Sequence, residues 1–448
     1  MNLTVYPGKP LKGIVEDALP GDKSISHRVA LLAALATGVS HIENFQVSGV
    51  TRPMLQSLRA LGVSWQLQGK TLIVDGKGVS GLKNPSFPID CGNSATTLRL
   101  LTGAIAGAGV AATLDGTPGL RRRPMGRIVE PLLAMGVNIT SDPAGTAPLT
   151  LQERAKNNPL HSLQFSLTVA SAQVKSCLLL AALGAAGKTV LCEPGPSRDH
   201  TERILASMGV QVFSHQEKTP QGVNYWIEIT PPVPLVLSPL QMSLPADPSA
   251  ASFLIVAALI TPGSCLSIKG ICLNPTRTGL LETLQSMGGD IKIKNQHLTA
   301  GEPVGDLVVN YSKLHGTDIS GTLVVRMIDE FPILAVAAAI AEGSTVVHDA
   351  AELRLKESDR IAVLAAELRV LGVAIEEYSD GFTIHGGKLS GGRVHSHEDH
   401  RLAMSLAVAG LVAQSFVTVQ NAECTAESFP NFAETLQTLG ANLVSQEG

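Results

Sequence analysis

Hydrophobic residues recur with helical spacing in six segments of the chain, and each segment ends in a Leu-Gly or Met-Gly pair. A glycine just after the last helical turn adopts the left-handed backbone conformation without steric cost. The pattern therefore predicts six amphipathic helices, spaced 68 to 84 residues apart, and six copies of one α/β unit. The terminating glycines are Gly62, Gly136, Gly209, Gly288, Gly372 and Gly440.

A second segment, rich in Ala, Leu and Val and almost free of charge, precedes each amphipathic one. Helices of this composition are buried on all sides. Each is followed by a β-rich segment, so we predict a unit of buried helix, strand or strands, outer helix and strand. The buried helices are expected to begin near Ser24, Ser94, Ser171, Pro248, Phe331 and Asp399.

The length of 448 residues exceeds what one hydrophobic core supports. The intervals between units are too long for a solenoid or propeller, whose periods are about 20 to 50 residues. Six units divide naturally into three plus three. Prolines concentrate between Pro231 and Pro248, after the third outer helix, and this predicts an extended crossover between two domains.

Composition is that of a globular protein, with 44% hydrophobic and 16% charged residues and a formal net charge of −4. The sequence contains no uninterrupted run of 18 apolar residues, so it predicts no membrane span. Residues 1–15 lack the pattern of a secretion signal. The cysteines are scattered, without a CxxC pair, which favours free buried thiols and a cytoplasmic location. They are Cys91, Cys177, Cys192, Cys265, Cys272 and Cys424.

Cations cluster near the starts of the buried helices, where unpaired N–H groups also attract anions. The pI of about 6.3 and the 4% aromatic content argue against nucleic acid, so a small, multiply anionic ligand is expected. A solvated surface run remains an alternative for the three arginines at 121–123. The clustered cations are Lys23, Arg28, Arg99, Lys175, Arg401, Arg121, Arg122, Arg123, Arg127, Arg198, Arg326, Lys356 and Arg360.

The strongest local motif is GDKSISHR, from Gly21 to Arg28. Ser24 is expected to cap the helix, and Arg28 lies about one turn further on, so that Lys23, Ser24 and Arg28 can face one ligand. The alternative is a capped helix with two solvated cations.

With this motif the sequence resembles the 5-enolpyruvylshikimate-3-phosphate (EPSP) synthases over its full length. The resemblance continues through GNSATTLRLLTG, DGTPGLRRRPMGRIVEPL, SAQVKSCLLLAAL, SRDHTERIL, DEFPILAVAAA, LRLKESDRIAVLAAEL, DHRLAMS and SFPNF. It implies an α/β fold: a two-domain inside-out α/β barrel of six βαβαββ-type units, three per domain. The implied domains are residues 1–20 with 245–448, and residues 21–244, with the active site in the interdomain cleft.

The resemblance also implies a reaction. Phosphoenolpyruvate and shikimate 3-phosphate each carry a carboxylate and a phosphate, and fixed cations would offset their repulsion. The 5-hydroxyl adds to phosphoenolpyruvate while the methylene is protonated, and the tetrahedral adduct loses phosphate. Neither cofactor nor metal is implied, and nucleic acid and membrane are not expected partners. We expect a monomer.

The family motifs assign the proton transfers. Asp329 would accept the proton of the 5-hydroxyl, and a plain N-cap aspartate is the alternative. Glu357, with Lys23, would serve the methylene carbon. A salt bridge from Glu357 to Arg360 is the alternative there.

The same motifs assign the binding residues. Phosphoenolpyruvate is expected at Lys23, Arg123, Lys356, Arg360 and Arg401, and Gln173 is expected between the two substrates. Shikimate 3-phosphate is expected at Ser24, Arg28, Ser171, Ala172, Ser197 and Arg198. Asn93, Ala95 and Thr96, in the GNSATT segment, complete the predicted set.

Two positions depart from the family pattern. Glu427 stands where many members carry a lysine before the (S/T)FP motif, so that phosphate contact is missing. Ala95 stands where glycine is common, and its methyl would crowd the longer inhibitor glyphosate more than the substrate. With SAQVKS and SRDHTE, this resembles the glyphosate-tolerant, class II-like subgroup.

Two further patterns carry little weight. Residues Gly76 to Gly81 match GxGxxG, but prolines follow where a dinucleotide site needs a helix. The run His395, His397, Glu398, Asp399 and His400 fits no common zinc spacing.

Two alternative functions remain open. The first is the related enolpyruvyl transferase for a nucleotide-linked amino sugar (UDP-N-acetylglucosamine), although the loop from Gly116 to Gly126 lacks the cysteine usual there. The second is a noncatalytic sliding-clamp-like ring, although here the cations lie at helix starts beside Asp and Glu.

Overall fold

The computed structural model describes residues 1–220, 222–356 and 358–446. Strands β1 to β24 are, in chain order, Asn2–Tyr6, Lys12–Val15, Thr37–Glu43, Ser64–Gln68, Thr71–Lys77, Ile89–Asp90, Ala112–Asp115, Ile139–Thr140, Leu149–Leu151, Gln164–Ser166, Thr189–Glu193, Gln211–Thr219, Gly222–Thr230, Gln241–Ser243, Cys265–Cys272, Asp290–Thr299, Glu302–Asn310, Asp318–Ile319, Ser344–Val347, Ala374–Tyr378, Gly381–His385, Gly392–His395, Val417–Gln420 and Asn442–Gln446.

Helices α1 to α14 are Lys23–Leu35, Arg52–Ala60, Ala95–Ala108, Pro118–Arg121, Gly126–Ala134, Ala172–Ala182, His200–Ser207, Pro248–Ile260, Gly279–Ser286, Thr322–Arg326, Phe331–Ile340, Arg360–Val370, His400–Ala409 and Phe432–Thr438. Short 3-10 helices span Val79–Gly81, Ala351–Leu355 and Ala422–Glu427.

The strands of the described residues form six four-stranded sheets that repeat one topology. Their orders are β14-β3-β5-β4, β6-β7-β9-β8, β10-β11-β13-β12, β2-β15-β17-β16, β18-β19-β21-β20 and β22-β23-β1-β24. In each sheet the first two strands run parallel and the second pairs antiparallel with the third. The shared topology confirms that the chain is six copies of one unit.

Two strands pair in the sheet of a different repeat from the one whose helix follows them along the chain. Strand β2 precedes α1 along the chain but pairs with β15, whereas β14 precedes α8 but pairs with β3. The chain divides into two compact units next to these strands. Unit 1 contains residues 1–20, 245–297 and 303–448, and unit 2 contains residues 21–244 and 298–302.

The predicted buried helices begin within a residue or two of the expected positions. Their side chains form much of the hydrophobic core of each unit. Every residue of α8 is buried, as is α11 from Phe331 to Ala339. Within unit 1, α11 packs on α13 and α8; within unit 2, α3 packs on α6. Burying one Leu or Ile side chain contributes about 1.5 to 3 kcal/mol, so the apolar composition of these helices drives each core.

The outer helices end as predicted. All six glycines that follow them have positive φ, from 82° at Gly372 to 110° at Gly440. At Gly372 a Cβ atom would also lie 2.6 Å from the Ser390 hydroxyl oxygen. These positions therefore require glycine for backbone conformation and, at Gly372, for space.

Some surface features differ from expectation. The cysteines are free, but Cys265 is exposed and Cys424 is half-buried, so the prediction of buried thiols is wrong for these two. The GxGxxG segment continues from β5 into the 3-10 turn Val79–Gly81 and not into an α-helix. No helix of the described residues combines the length and apolarity needed to cross a membrane.

Candidate active site

In unit 2, the GDKSISHR segment contains the N-cap of α1 and the first six residues of that helix. The cap is Asp22, whose Oδ1 accepts from Ile25 N at 2.8 Å. Ser24 lies inside the helix, and its Oγ accepts from Arg198 at 2.8 Å. The prediction that Ser24 caps the helix is therefore wrong, because the preceding aspartate already occupies that position and leaves the serine hydroxyl for side-chain contacts.

Arg28 is buried, and its guanidinium is held by unit 2 itself. It donates to Thr201 Oγ1 at 2.9 Å, to Ser176 Oγ at 3.0 Å and to the Ser24 carbonyl at 2.9 Å. A longer bond of 3.5 Å reaches the carbonyl of Ala172, the first residue of α6. Burial lowers the pKa of Arg28 to about 10, more than the nearby carboxylate of Glu202 raises it. The group thus stays cationic at neutral pH in a fixed orientation.

The segment around Ser197 is anchored by a buried ion cluster. Lys175 Nζ lies 2.7 Å from Glu193 and 2.8 Å from Glu202. It also donates to the Ser197 carbonyl at 3.2 Å, while the Ser197 hydroxyl donates to Glu193 at 2.6 Å. Burial alone would lower the pKa of Lys175, but the charges of Glu202 and Glu193 raise it.

These contacts correct part of the cation inventory. Lys175 Nζ is completely buried between two carboxylates and the Ser197 carbonyl, and it orients the Ser197 segment. Arg121 likewise pairs with Asp115, and Arg326 pairs with Glu282. Glu193 and Glu202 were missed from the sequence, since nothing local marks a glutamate as the partner of a distant lysine.

Gln173 is oriented from both ends of its amide. Its Oε1 accepts from Arg99 at 2.6 Å, and its Nε2 donates to Thr96 Oγ1 at 3.0 Å. Arg99 also donates to the carbonyl of Pro124 at 2.9 Å, next to Arg123. Arg99, which the sequence marked only as a clustered cation, thus contacts Gln173 directly, and Gln173 in turn contacts Thr96.

The starts of α3 and α6 carry further predicted residues of unit 2. Ser94 is the N-cap, accepting from Thr97 N at 3.2 Å, and Ala95 is the buried first residue of the helix. Asn93 Oδ1 accepts from Thr117 Oγ1 at 3.1 Å. Ser171 occupies the N-cap position of α6 without a side-chain capping bond.

In unit 1, Asp329 lies between two buried arginines. Its Oδ1 is 3.4 Å from Arg360 and its Oδ2 is 3.5 Å from Arg401. Arg401 also donates to the Asp329 carbonyl at 3.2 Å. The residue at the N-cap of α11 is Glu330, so Asp329 is not a plain capping aspartate. The Asp329 side chain is 19% exposed, against 2% for Arg360 and 5% for Arg401. The carboxylate is therefore the most solvent-accessible of the three side chains.

Two further carboxylates, those of Asp399 and Glu330, contact the same arginines. Asp399 caps α13 by accepting from Arg401 N at 2.9 Å, and it accepts from Arg360 Nε at 2.8 Å. Arg401 NH1 lies 3.8 Å from Glu330, which accepts from Ser249 Oγ. Placing charge in the interior costs several kcal/mol unless it is paired, which explains why each arginine has more than one carboxylate neighbour.

Three further predicted features lie before α12 and after α13. Lys356 follows the 3-10 helix Ala351–Leu355 and is partly buried. Glu357 lies outside the described residues. The exposed Glu427 places Oε2 3.5 Å from Nδ1 of the buried His400, so at this position a carboxylate faces the imidazole.

The histidine run before α13 is held by hydrogen bonds. Glu367 accepts from His395 N at 2.9 Å, and His397 Nε2 lies 2.6 Å from the other oxygen of this carboxylate. Among the described residues, no group of three or more His, Cys, Asp or Glu side chains is arranged to hold a metal ion.

The family model described as EPSP synthase (3-phosphoshikimate 1-carboxyvinyltransferase) matches residues 5–436.

The chain belongs to the EPSP synthase family.

Individual relatives agree with this assignment. A 3-phosphoshikimate 1-carboxyvinyltransferase of Roseiflexus sp. (strain RS-1) is 47% identical over 436 residues, covering 96% of this chain and 98% of its own. The solved EPSP synthase of Acinetobacter baumannii is 37% identical, with a TM-score of 0.87, covering 99% of this chain and 100% of its own. This similarity confirms the predicted fold class.

A more distant structure shares the fold alone. The enolpyruvyl transferase NikO from Streptomyces tendae is 20% identical, with a TM-score of 0.78, covering 100% of this chain and 99% of its own. Membership of the EPSP synthase family makes the alternative of a noncatalytic clamp-like ring wrong.

Proposed function

We propose that the chain transfers the enolpyruvyl group of phosphoenolpyruvate to the 5-hydroxyl of shikimate 3-phosphate and releases phosphate. The reaction is an addition followed by an elimination through a tetrahedral intermediate, and neither step calls for a cofactor or metal. This is the activity named for relatives that are 45 to 47% identical over nearly the whole chain.

The observation that carries the proposal is the position of Asp329 between Arg360 and Arg401. Two fixed guanidinium groups suit a carboxylate or phosphate, because each can form paired hydrogen bonds with such an anion. The partly exposed carboxylate among them can accept a hydroxyl proton. A carboxylate base beside fixed cations is what the addition step requires.

The anionic groups of the two substrates are assigned to different residues. Arg360, Arg401, Lys356, Lys23 and Arg123 would bind phosphoenolpyruvate. Unit 2 would bind shikimate 3-phosphate, and Gln173 would lie between the substrates. The residues proposed for shikimate 3-phosphate are Ser24, Arg28, Ser171, Ala172, Ser197 and Arg198.

The buried contacts of unit 2 support these roles. Arg28 is held by three short hydrogen bonds, and Arg198 is held by Ser24. Side chains that are fixed before the ligand arrives lose little further entropy on binding it. Such preorganised cations also stabilise charge that develops in the transition state.

The proton transfers are proposed for three residues. Asp329 accepts the proton of the 5-hydroxyl as its oxygen bonds to the enol ether carbon. Glu357, with Lys23, donates a proton to the methylene carbon, which becomes a methyl group. The same groups take a proton back from that methyl as the C–O bond to phosphate breaks.

A finer assignment concerns the inhibitor glyphosate. Ala95 is buried at the first position of α3, two residues after Asn93. A methyl group there leaves less room beside phosphoenolpyruvate than a glycine would. We place the chain in the glyphosate-tolerant, class II-like subgroup, as a cytoplasmic monomer that binds neither nucleic acid nor membrane.

The decisive test compares acceptor substrates. Purified protein is supplied with phosphoenolpyruvate and either shikimate 3-phosphate or UDP-N-acetylglucosamine, and phosphate release is measured before and after exhaustive chelation. We expect release with shikimate 3-phosphate alone as acceptor, and no loss after chelation. Turnover with the nucleotide sugar only, or turnover that needs added metal, would overturn the proposal.

A further inference from the structure

The loop that leads into α13 has an unusual backbone. His397 and Glu398 are consecutive non-glycine residues with φ of 51° and 59°. Residues with a Cβ atom adopt this left-handed region at a steric cost, and they hold it only where surrounding contacts enforce it. The next residue is Asp399, which caps α13 and binds Arg360.

The contacts that hold this loop converge on Glu367. One oxygen of its carboxylate accepts from His395 N at 2.9 Å, and the other lies 2.6 Å from His397 Nε2. The residue is 8% exposed, so its carboxylate is largely removed from water and depends on these partners. Ser396 adds a bond from its hydroxyl to the Asn421 carbonyl at 2.8 Å.

Glu367 and Arg360 belong to the same helix, α12. They are seven residues apart, which is two helical turns, and therefore lie on one face. Arg360 contacts the end of the loop at Asp399, and Glu367 contacts its beginning at His395 and His397. Helix α12 thus holds both ends of the segment that precedes Arg401.

We propose that Glu367 is a positioning residue for the arginine pair Arg360 and Arg401. It holds the left-handed turn that places Asp399, and Asp399 in turn orients Arg360 and the first turn of α13, where Arg401 lies. The inference rests on the proposed function, because it assigns this pair to phosphoenolpyruvate.

The expected consequence is selective. Without the carboxylate of Glu367, the turn at His397 and Glu398 can relax to a less costly conformation, and Asp399 moves with it. Arg360 and Arg401 then lose their alignment with the phosphoenolpyruvate anion, and the loss of paired, charge-assisted hydrogen bonds weakens its binding. The groups proposed for shikimate 3-phosphate lie on other elements and keep their own contacts.

The test compares three variants of the full chain. Glu367→Ala removes both contacts. Glu367→Gln can keep both, because its amide oxygen accepts from His395 N and its amide nitrogen donates to a neutral His397. Glu434→Ala on α14 is the matched control, since it removes an exposed helical glutamate of the same unit.

Steady-state kinetics give the first readout. For Glu367→Ala we expect the KM for phosphoenolpyruvate to rise at least tenfold, with less than a twofold change for shikimate 3-phosphate. Glu367→Gln should stay within about threefold of the parent, and Glu434→Ala should match it. The proposal is overturned if both KM values rise equally in Glu367→Ala, or if its kinetics do not change. It is also overturned if the KM of Glu367→Gln for phosphoenolpyruvate rises as much as that of Glu367→Ala.

Hydrogen exchange of the substrate-free protein provides a readout that does not depend on the reaction. Amides of residues 395–402 should exchange faster in Glu367→Ala than in the parent, with no change in Glu434→Ala. If the parent itself fails to turn over the two substrates, the proposed function fails whatever the exchange shows. If the parent is active and exchange in this segment is unchanged, the positioning role fails alone.

Discussion

Arg360 donates from Nε to Asp399 Oδ2 at 2.8 Å, and both side chains are almost completely buried, at 2% and 0% exposure. The same aspartate caps α13 through Arg401 N. One carboxylate therefore neutralises the first arginine and fixes the helix that carries the second. This arrangement ties the geometry of the proposed substrate site to the stability of unit 1.

Asp399→Ala should destabilise the protein strongly. The change leaves Arg360 with fewer partners in the interior and removes the cap of α13, so we expect a loss of about 3 to 5 kcal/mol in the free energy of unfolding. Asp359→Ala is the matched control, because Asp359 caps α12 and pairs with Arg354 at a position that is 40% exposed. A cap contributes about 0.5 to 2 kcal/mol and an exposed ion pair about 0 to 1 kcal/mol. Urea unfolding of both variants measures the difference, and equal losses would contradict it.

Asp329→Asn should reduce turnover by ~100-fold or more, because the amide cannot take the hydroxyl proton. The fold should remain intact, since asparagine keeps the shape and its amide oxygen can still accept from one of the two arginines. Asp318→Asn, at an exposed position in β18 of the same unit, is the control. Phosphate release at saturating substrate checks the prediction, and near-normal turnover with an unchanged circular dichroism spectrum would remove Asp329 from the mechanism.

Glu357→Gln should have a comparable effect, on the basis of the LKESDR motif. We expect it to slow deuterium incorporation from heavy water into the phosphoenolpyruvate methylene by ~100-fold. Incorporation at the parent rate would show that another group carries the proton.

Ala95→Gly should restore sensitivity to glyphosate. Removing one methyl from a packed wall relieves a misfit of about 1 to 3 kcal/mol, or roughly tenfold to a hundredfold in inhibitor affinity. Phosphoenolpyruvate is shorter and should gain much less, so its KM should fall modestly or stay level. Inhibition is compared at matched phosphoenolpyruvate saturation. A parent protein already inhibited as strongly as the glycine variant would remove the basis for the subgroup assignment.

His27 should make folding sensitive to acid. Burial lowers the pKa of this imidazole to about 4, from 6.5 in the unfolded chain, although the Lys23 and Val50 carbonyls 2.9 Å from its two nitrogens oppose the shift. The unfolded state therefore binds more protons between these pH values, so stability falls as pH falls through this range, by about 3 kcal/mol in total. At pH 7 both states are neutral and the contribution vanishes.

The measurement for His27 is the free energy of unfolding at pH 7 and at pH 4. His27→Gln should lose about 2 to 3 kcal/mol less than the parent protein over this interval. His161→Gln, at an exposed histidine, is the control and should follow the parent. A parallel pH dependence in His27→Gln would show that other groups account for the acid sensitivity.

Features set by local chemistry were predictable from the sequence. The helix ends at Gly62, Gly209 and Gly372 follow from the backbone freedom of glycine, and the starts of α8 and α11 follow from long apolar runs. The motif blocks likewise identified the residues that meet at Asp329, because each motif is a contiguous string. The assignment of Ser24 as a cap failed for a local reason, since Asp22 was equally able to cap.

The sequence by itself therefore determined the repeated unit, the buried and outer helices, and the family. Only the tertiary structure decided the exchange of β2 and β14 between sheets, the pairing of Lys175 with Glu193 and Glu202, and the link from Glu367 to the turn before Asp399. The physical reason is the range of the interactions. Helix ends and apolar faces depend on neighbours a few residues away, whereas strand partners and buried ion pairs depend on which distant residues the fold brings within a few ångströms.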